Sequence, residues 1–155
     1  MNIKFKPLAI SILIALGVGG LSGFLTMGNM DIYGNINKPP LSPPPIVFPI
    51  VWTILFILMG ISAYLIYESN SNLKGKALAI YGLQLVVNFF WPIIFFNGQK
   101  FLLAFVWLLL LVALIIETIL IFKDINKKAS LLLIPYLLWS IFATYLNLGV
   151  YLLNR

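Results

Sequence analysis

The chain has 155 residues, of which 62% are hydrophobic and only 9% charged, with a mean hydropathy of +1.06. A soluble domain carries about a quarter charged residues, so this composition belongs in a bilayer. Cysteine and histidine are both absent, which excludes disulfides, thiolate and imidazole metal sites, Ser-His-Asp triads and cysteine nucleophiles. The net charge of +6 is spread over the connections and reads as membrane topology; no nucleic-acid partner is expected.

Runs free of charge and long enough for the roughly 20 residues of a bilayer helix predict five spans. The first, near residues 7–27, follows Lys4 and Lys6 as a signal peptide would, but its apolar run is long for that role and it is read as a true span. Residues 28–45 form the one connection with room for function. Within and just after it, NKPPLSPPPIVFPIVW (Asn37 to Trp52) holds six of the nine prolines. Proline fixes φ and reduces the entropy lost on ordering, so this loop is predicted to keep its shape as a lid without a soluble core behind it. Lys38 at its start is placed to pair with a carboxylate of a ligand. The second span, 46–67, repeats Phe48, Trp52, Phe56 and Gly60 every four residues. The third, 75–96, aligns Gln84, Asn88, Trp91 and Phe95 on one stripe. Pro92 is expected to bend it and to free carbonyls toward the interior. The fourth, 100–122, carries Glu117 within reach of Lys123. The fifth, 130–152, begins around Pro135 and sets Trp139, Ala143 and Asn147 on one face beside Phe142. Small-residue patterns at Gly19–Gly23 and Gly75–Ala79 suit close helix contacts. The expected fold is an all-α integral membrane bundle of five transmembrane helices in a single domain, 1–155.

Seven basic residues (Lys4, Lys6, Lys74, Lys76, Lys123, Lys127, Lys128) fall on one side of this arrangement and three (Lys38, Lys100, Arg155) on the other. The bias predicts a cell-membrane protein with a cytoplasmic N-terminus, and with the C-terminus and the proline loop outside. At about 1.5 Å per residue, Trp52, Asn88, Trp91, Trp107 and Asn147 then lie roughly 7–12 Å below the outer surface, with Trp139 nearer the middle. An interfacial aromatic belt would populate both surfaces, whereas the inner one has no tryptophan. A lone amide is costly in lipid, so Asn88 and Asn147 must face the bundle interior, where each either ties helices together or meets a ligand.

The segments KPPLSPPPIVFPIVWTILFILMG (Lys38–Gly60), QLVVNFFWPIIFF (Gln84–Phe96) and PYLLWSIFATYLNLGVYLLN (Pro135–Asn154) resemble, in order, the signature segments of the translocator protein family. That family is also known as tryptophan-rich sensory proteins or peripheral benzodiazepine receptors. The resemblance implies a pocket for tetrapyrroles such as protoporphyrin IX and for isoquinoline carboxamide and benzodiazepine-type ligands. Some bacterial members promote light-dependent breakdown of the porphyrin. Carried over by motif position, the pocket comprises Tyr33, Pro43 and Pro44 from the loop, then Phe48, Trp52, Phe56, Asn88, Trp91, Trp139, Phe142, Ala143 and Asn147. This chain departs from the family at Ile32 and Leu41, where members often have tryptophan. The resemblance also implies a homodimer contact through the third span.

Three functions remain in view: a tetrapyrrole receptor or sensor, a photo-oxidative degrader of the bound porphyrin using Trp52 and Trp139, and a tetrapyrrole transporter. An odd number of spans and no visible repeat count against a carrier. The four carboxylates, Asp31, Glu68, Glu117 and Asp124, are scattered, which disfavours conventional acid–base catalysis. No metal and no resident cofactor is expected.

Overall fold

A computed structural model describes residues 2–155. In lipid a backbone amide has no water to bond, so long apolar segments close their hydrogen bonds internally as helices. Here α1 (Phe5–Thr26), α3 (Val47–Tyr67), α4 (Lys74–Pro92), α5 (Phe101–Lys123) and the pair α6 (Lys127–Leu132) and α7 (Ile134–Asn154) supply five spans. A short helix, α2 (Ile32–Asn35), and a 3-10 turn at Met27–Asn29 occupy the first connection, so it is more structured than a plain loop. The protein is an all-helical membrane bundle of five spans.

The last span is broken where its sequence requires it. Pro135 has no N–H to continue the ladder, so α6 closes at Leu132 and α7 starts afresh with the proline in its first turn. Asn126 caps α6 by accepting from the Ala129 amide at 3.2 Å. Pro92 acts differently. The helix continues past it as a π-helical turn, Ile93–Asn97, and two carbonyls of the turn before it accept bonds from neighbouring helices. Ser22 donates to the Phe89 carbonyl at 2.8 Å and Trp107 Nε1 to that of Val87 at 2.6 Å. These bonds tie α4 to α1 and α5.

Packing follows the small residues. Gly60 lets α1 approach α3 so closely that an added Cβ would lie 2.4 Å from Ile12 Cα, and Ser11 donates to the Gly60 carbonyl at 2.7 Å. Gly19 accepts the Phe56 ring in the same contact, whereas Gly23 and Gly75 face open space. The closest helix pairs are α1 with α3, α4 with α5, and α5 with α7. The backbones of α3 and α7 come together only sparsely, although α6 packs against α3. Glu117 is exposed on the flank of α5 and does not reach Lys123. The ion pair found among the described residues joins Lys4 to Glu68 at 3.2 Å, which sets the N-terminus against the end of α3. At the opposite end Asn154 meets the proline loop.

Candidate ligand site

The sparse meeting of α3 and α7 leaves an open-sided crevice of about 430 Å³. Its walls are Val51, Ile54 and Leu55 from α3 and Pro135, Leu138, Trp139 and Phe142 from α7. The volume lies within the range of small-molecule sites, and the lining is almost wholly apolar. One polar atom stands out. The Trp139 indole Nε1 is shielded from solvent and has no hydrogen-bond partner, although a buried indole N–H normally finds one.

An aromatic series connects this crevice to the proline loop. Trp139 packs against Phe142 with centroids 5.5 Å apart and edge-on against Phe48 at 5.9 Å, and Phe48 meets Tyr33 edge-on at 5.1 Å. The loop is internally braced. Tyr33 donates its hydroxyl to the Pro43 carbonyl at 2.6 Å, and Lys38 Nζ donates to the Tyr33 carbonyl at 2.8 Å while lying 4.8 Å from that residue's ring centre. Partial burial raises the Tyr33 phenol above its ordinary range, with Ser42 acting in the other direction. Pro43 is half-buried and Pro44 exposed. Leu41, at φ 71, takes a left-handed conformation at the loop's tip and is exposed.

The loop is also latched to α7. The main-chain N–H of Asn37 donates to Asn154 Oδ1 at 3.0 Å, and Asn154 Nδ2 donates back to the Asn37 carbonyl at 2.7 Å. Tyr145 donates to the Pro40 carbonyl at 2.7 Å. Pro39 sits directly on Gly149, where an added Cβ would come within 2.5 Å of the proline ring.

The other site residues read from the sequence lie deeper. Asn88 Nδ2 donates to the Tyr136 hydroxyl at 2.7 Å, and that hydroxyl donates to Gln84 Oε1 at 2.6 Å. Asn147 accepts from Trp91 Nε1 at 2.9 Å and donates to the Phe101 carbonyl at 2.8 Å. Both amides thus tie helices together. Ala143 is buried among them. Trp52 packs on Phe56 at 5.7 Å and on Tyr136 at 6.2 Å, set back from the crevice wall. The structure joins Tyr33, Phe48, Trp139 and Phe142 through ring contacts, packs Trp52, Trp91 and Trp139 against the one core that holds Phe56 and Ala143, and engages Asn88 and Asn147 in ties between helices. Trp107 belongs to neither group, being spent on α4. Sequence reasoning missed Tyr136, Val51, Ile54, Leu55, Pro135 and Leu138 as pocket or network residues. For Tyr136 a signal existed: it lies at i, i+4, i+7 and i+11 with Ser140, Ala143 and Asn147, the buried face of α7.

The TspO/MBR family model matches residues 9–153. The chain belongs to the TspO/MBR family. The tryptophan-rich protein TspO of Archaeoglobus fulgidus is 38% identical over 99% of this chain and 99% of its own length. The tryptophan-rich sensory protein of Cereibacter sphaeroides is 33% identical over 99% and 95%. The human translocator protein is 35% identical over 77% of this chain and 72% of its own. As in the TspO/MBR family generally, the chain is a multi-pass membrane protein.

Proposed function

We propose that this protein binds a tetrapyrrole such as protoporphyrin IX between α3 and α7 and promotes its oxidative breakdown in light. The observation that carries the reading is the Trp139 indole, a buried donor without a partner on the wall of an apolar crevice beneath a braced loop. A macrocycle places an apolar face against Val51, Leu55 and Leu138, and a turn of the Trp139 ring brings its shielded N–H onto an acceptor; Lys38 retains donors for a propionate. Light supplies the driving energy. The excited porphyrin activates dioxygen, whose two oxygen atoms add across a double bond of the macrocycle, and the protein contributes position and the electron-rich rings of Trp139 and Trp52. Isoquinoline carboxamide ligands, with a carbonyl for the same indole, compete for this site.

The test is to titrate the purified protein with protoporphyrin IX and follow its absorbance in light and in darkness. Wild type accelerates decay in light only. Changing Trp52 and Trp139 together to Phe lowers that rate to the value for porphyrin in empty detergent, while binding persists. Decay at the wild-type rate in the double variant would leave a binding receptor as the function.

Two proposals concern how the protein sits in the cell membrane. The lysine-rich end faces the cytoplasm, so an impermeant thiol reagent should modify Asn35→Cys in intact cells and spare Ser71→Cys; the reverse pattern inverts the orientation. Two copies pair through α4, where Gly75, Ala79, Leu83 and Val86 face outward. Ala79→Leu should shift the detergent-solubilised protein toward monomer, and an unchanged dimer fraction would move the contact elsewhere.

A further inference from the structure

A second cavity, of about 300 Å³, lies at the loop end of the bundle, on the far side of α7 from the crevice. Gln99, Lys100, Phe101, Leu102 and Leu103 from the start of α5 and Tyr151, Asn154 and Arg155 from the end of α7 enclose it. Its composition is unlike that of the ligand crevice. Lys100 and Arg155 bring two cations to its wall, and among the described residues neither forms a salt bridge: the ion pair found is Lys4–Glu68, at the other end of the bundle. Asn154 is already committed to the loop and to its own helix, so the polar capacity left on this wall is that of the two cations together with the neutral Gln99 amide and Tyr151 hydroxyl.

The apolar part of the wall points to what the cations meet. Leu102 and Leu103 are each about half exposed, 48% and 47%, and the exposed face continues along α5 through Val106, Leu109 and Leu110. That face is bathed in lipid chains. A small free anion uses the cations and leaves the leucine track unused, whereas an anionic phospholipid satisfies both, its phosphate at Lys100 and Arg155 and an acyl chain along α5. We propose that the α5–α7 cavity is a binding site for the headgroup of an anionic phospholipid from the leaflet at the loop end. The site touches the lid through Asn154, which bonds Asn37, so bound lipid also buttresses the latch.

The experiment is native mass spectrometry of the full chain in detergent with equimolar phosphatidylglycerol and phosphatidylcholine. An interfacial Lys or Arg contributes about 1 kcal/mol toward anionic lipid, so two give roughly a thirty-fold preference for phosphatidylglycerol. Lys100→Gln and Arg155→Gln should each lose about five-fold of it, Lys100→Arg should retain it, and the double Gln variant should show almost none. Lys128→Gln, which removes a charge at the opposite end, should leave the preference intact. A double variant that keeps the preference, or an equal loss in Lys128→Gln, would refute the site. Displacement of phosphatidylglycerol by millimolar inorganic phosphate would refute the lipid and leave a simple anion site.

Discussion

The two flanks of α7 spend their polar groups in opposite ways. Toward α4 and α5, its side chains complete hydrogen bonds: Tyr136 sits between Asn88 and Gln84, and Asn147 between Trp91 and the Phe101 carbonyl. Toward α3 there is a hollow walled by aliphatic side chains, with one indole N–H left unmet. The bonded side chains fix helix positions and have little left to offer a ligand, although the buried Ser140 hydroxyl on the same face is itself unpartnered, whereas the Trp139 donor is the orphan that belongs to a crevice wall. On this contrast we propose that the α4 and α5 flank serves as scaffold and the α3 flank as the ligand side.

The largest effect expected from breaking this division is on the scaffold side. Asn147→Leu removes both of its bonds and strands the Trp91 N–H, while the Phe101 carbonyl, at the start of α5, keeps its intrahelical bond. Buried unsatisfied groups cost about 1–3 kcal/mol each in soluble proteins and less in bilayers, where unfolded helices also find partners, so a loss of about 2 kcal/mol is expected. Thermal denaturation in detergent measures it. A melting temperature equal to wild type would mean that the Trp91–Asn147 tie holds nothing.

Next in size is the latch. Gly149→Ala drives a methyl into Pro39, and overpacking of this kind costs about 1–3 kcal/mol unless the neighbour moves. Here the neighbour is a loop, which can yield by leaving α7, so melting should change little while a ligand in the crevice dissociates several-fold faster. If dissociation is unchanged and stability falls, the loop is part of the scaffold and not a lid.

Trp139→Phe gives the complementary result on the binding flank. Its N–H has no partner to lose, so stability should stay within about 1 kcal/mol, whereas a ligand that offers an acceptor loses one hydrogen bond, about five- to ten-fold in affinity. Titration with a ligand lacking the acceptor supplies the control, since its affinity should not change.

Much of this was legible in the residues. Charge-free runs are sufficient for the five-span bundle because a bilayer leaves the backbone no alternative to helix. The stiffness of the proline run at the first connection was legible too, since φ restriction acts locally. The assignment of the amides was not. Spacing places Asn88 and Asn147 inward but cannot say which partner each finds, because that depends on the rotation of α7, and Tyr136 is an apolar aromatic to any periodicity argument. The π-helical turn after Pro92 was equally hidden: proline announces a break, while the Ser22 and Trp107 side chains that absorb it come from 70 residues upstream in one case and 15 downstream in the other.

The smallest effect concerns pH, and it sharpens the distinction between lid and scaffold. Tyr33 holds the loop by donating to the Pro43 carbonyl, and burial raises its phenol above the ordinary value of 10.0. A raised phenol favours the protonated, folded form. Its contribution is therefore complete below the unfolded value of 10.0 and is lost only as pH rises through the higher folded value. Ligand affinity should be flat from about pH 6 to 9, a range in which no histidine is present to titrate, and should fall above about pH 10. In Tyr33→Phe the affinity should start somewhat lower, with the hydroxyl gone, and the alkaline fall due to this phenol should vanish. A fall that persists unchanged in Tyr33→Phe would locate the sensitive group in the bundle and detach Tyr33 from the closing of the loop.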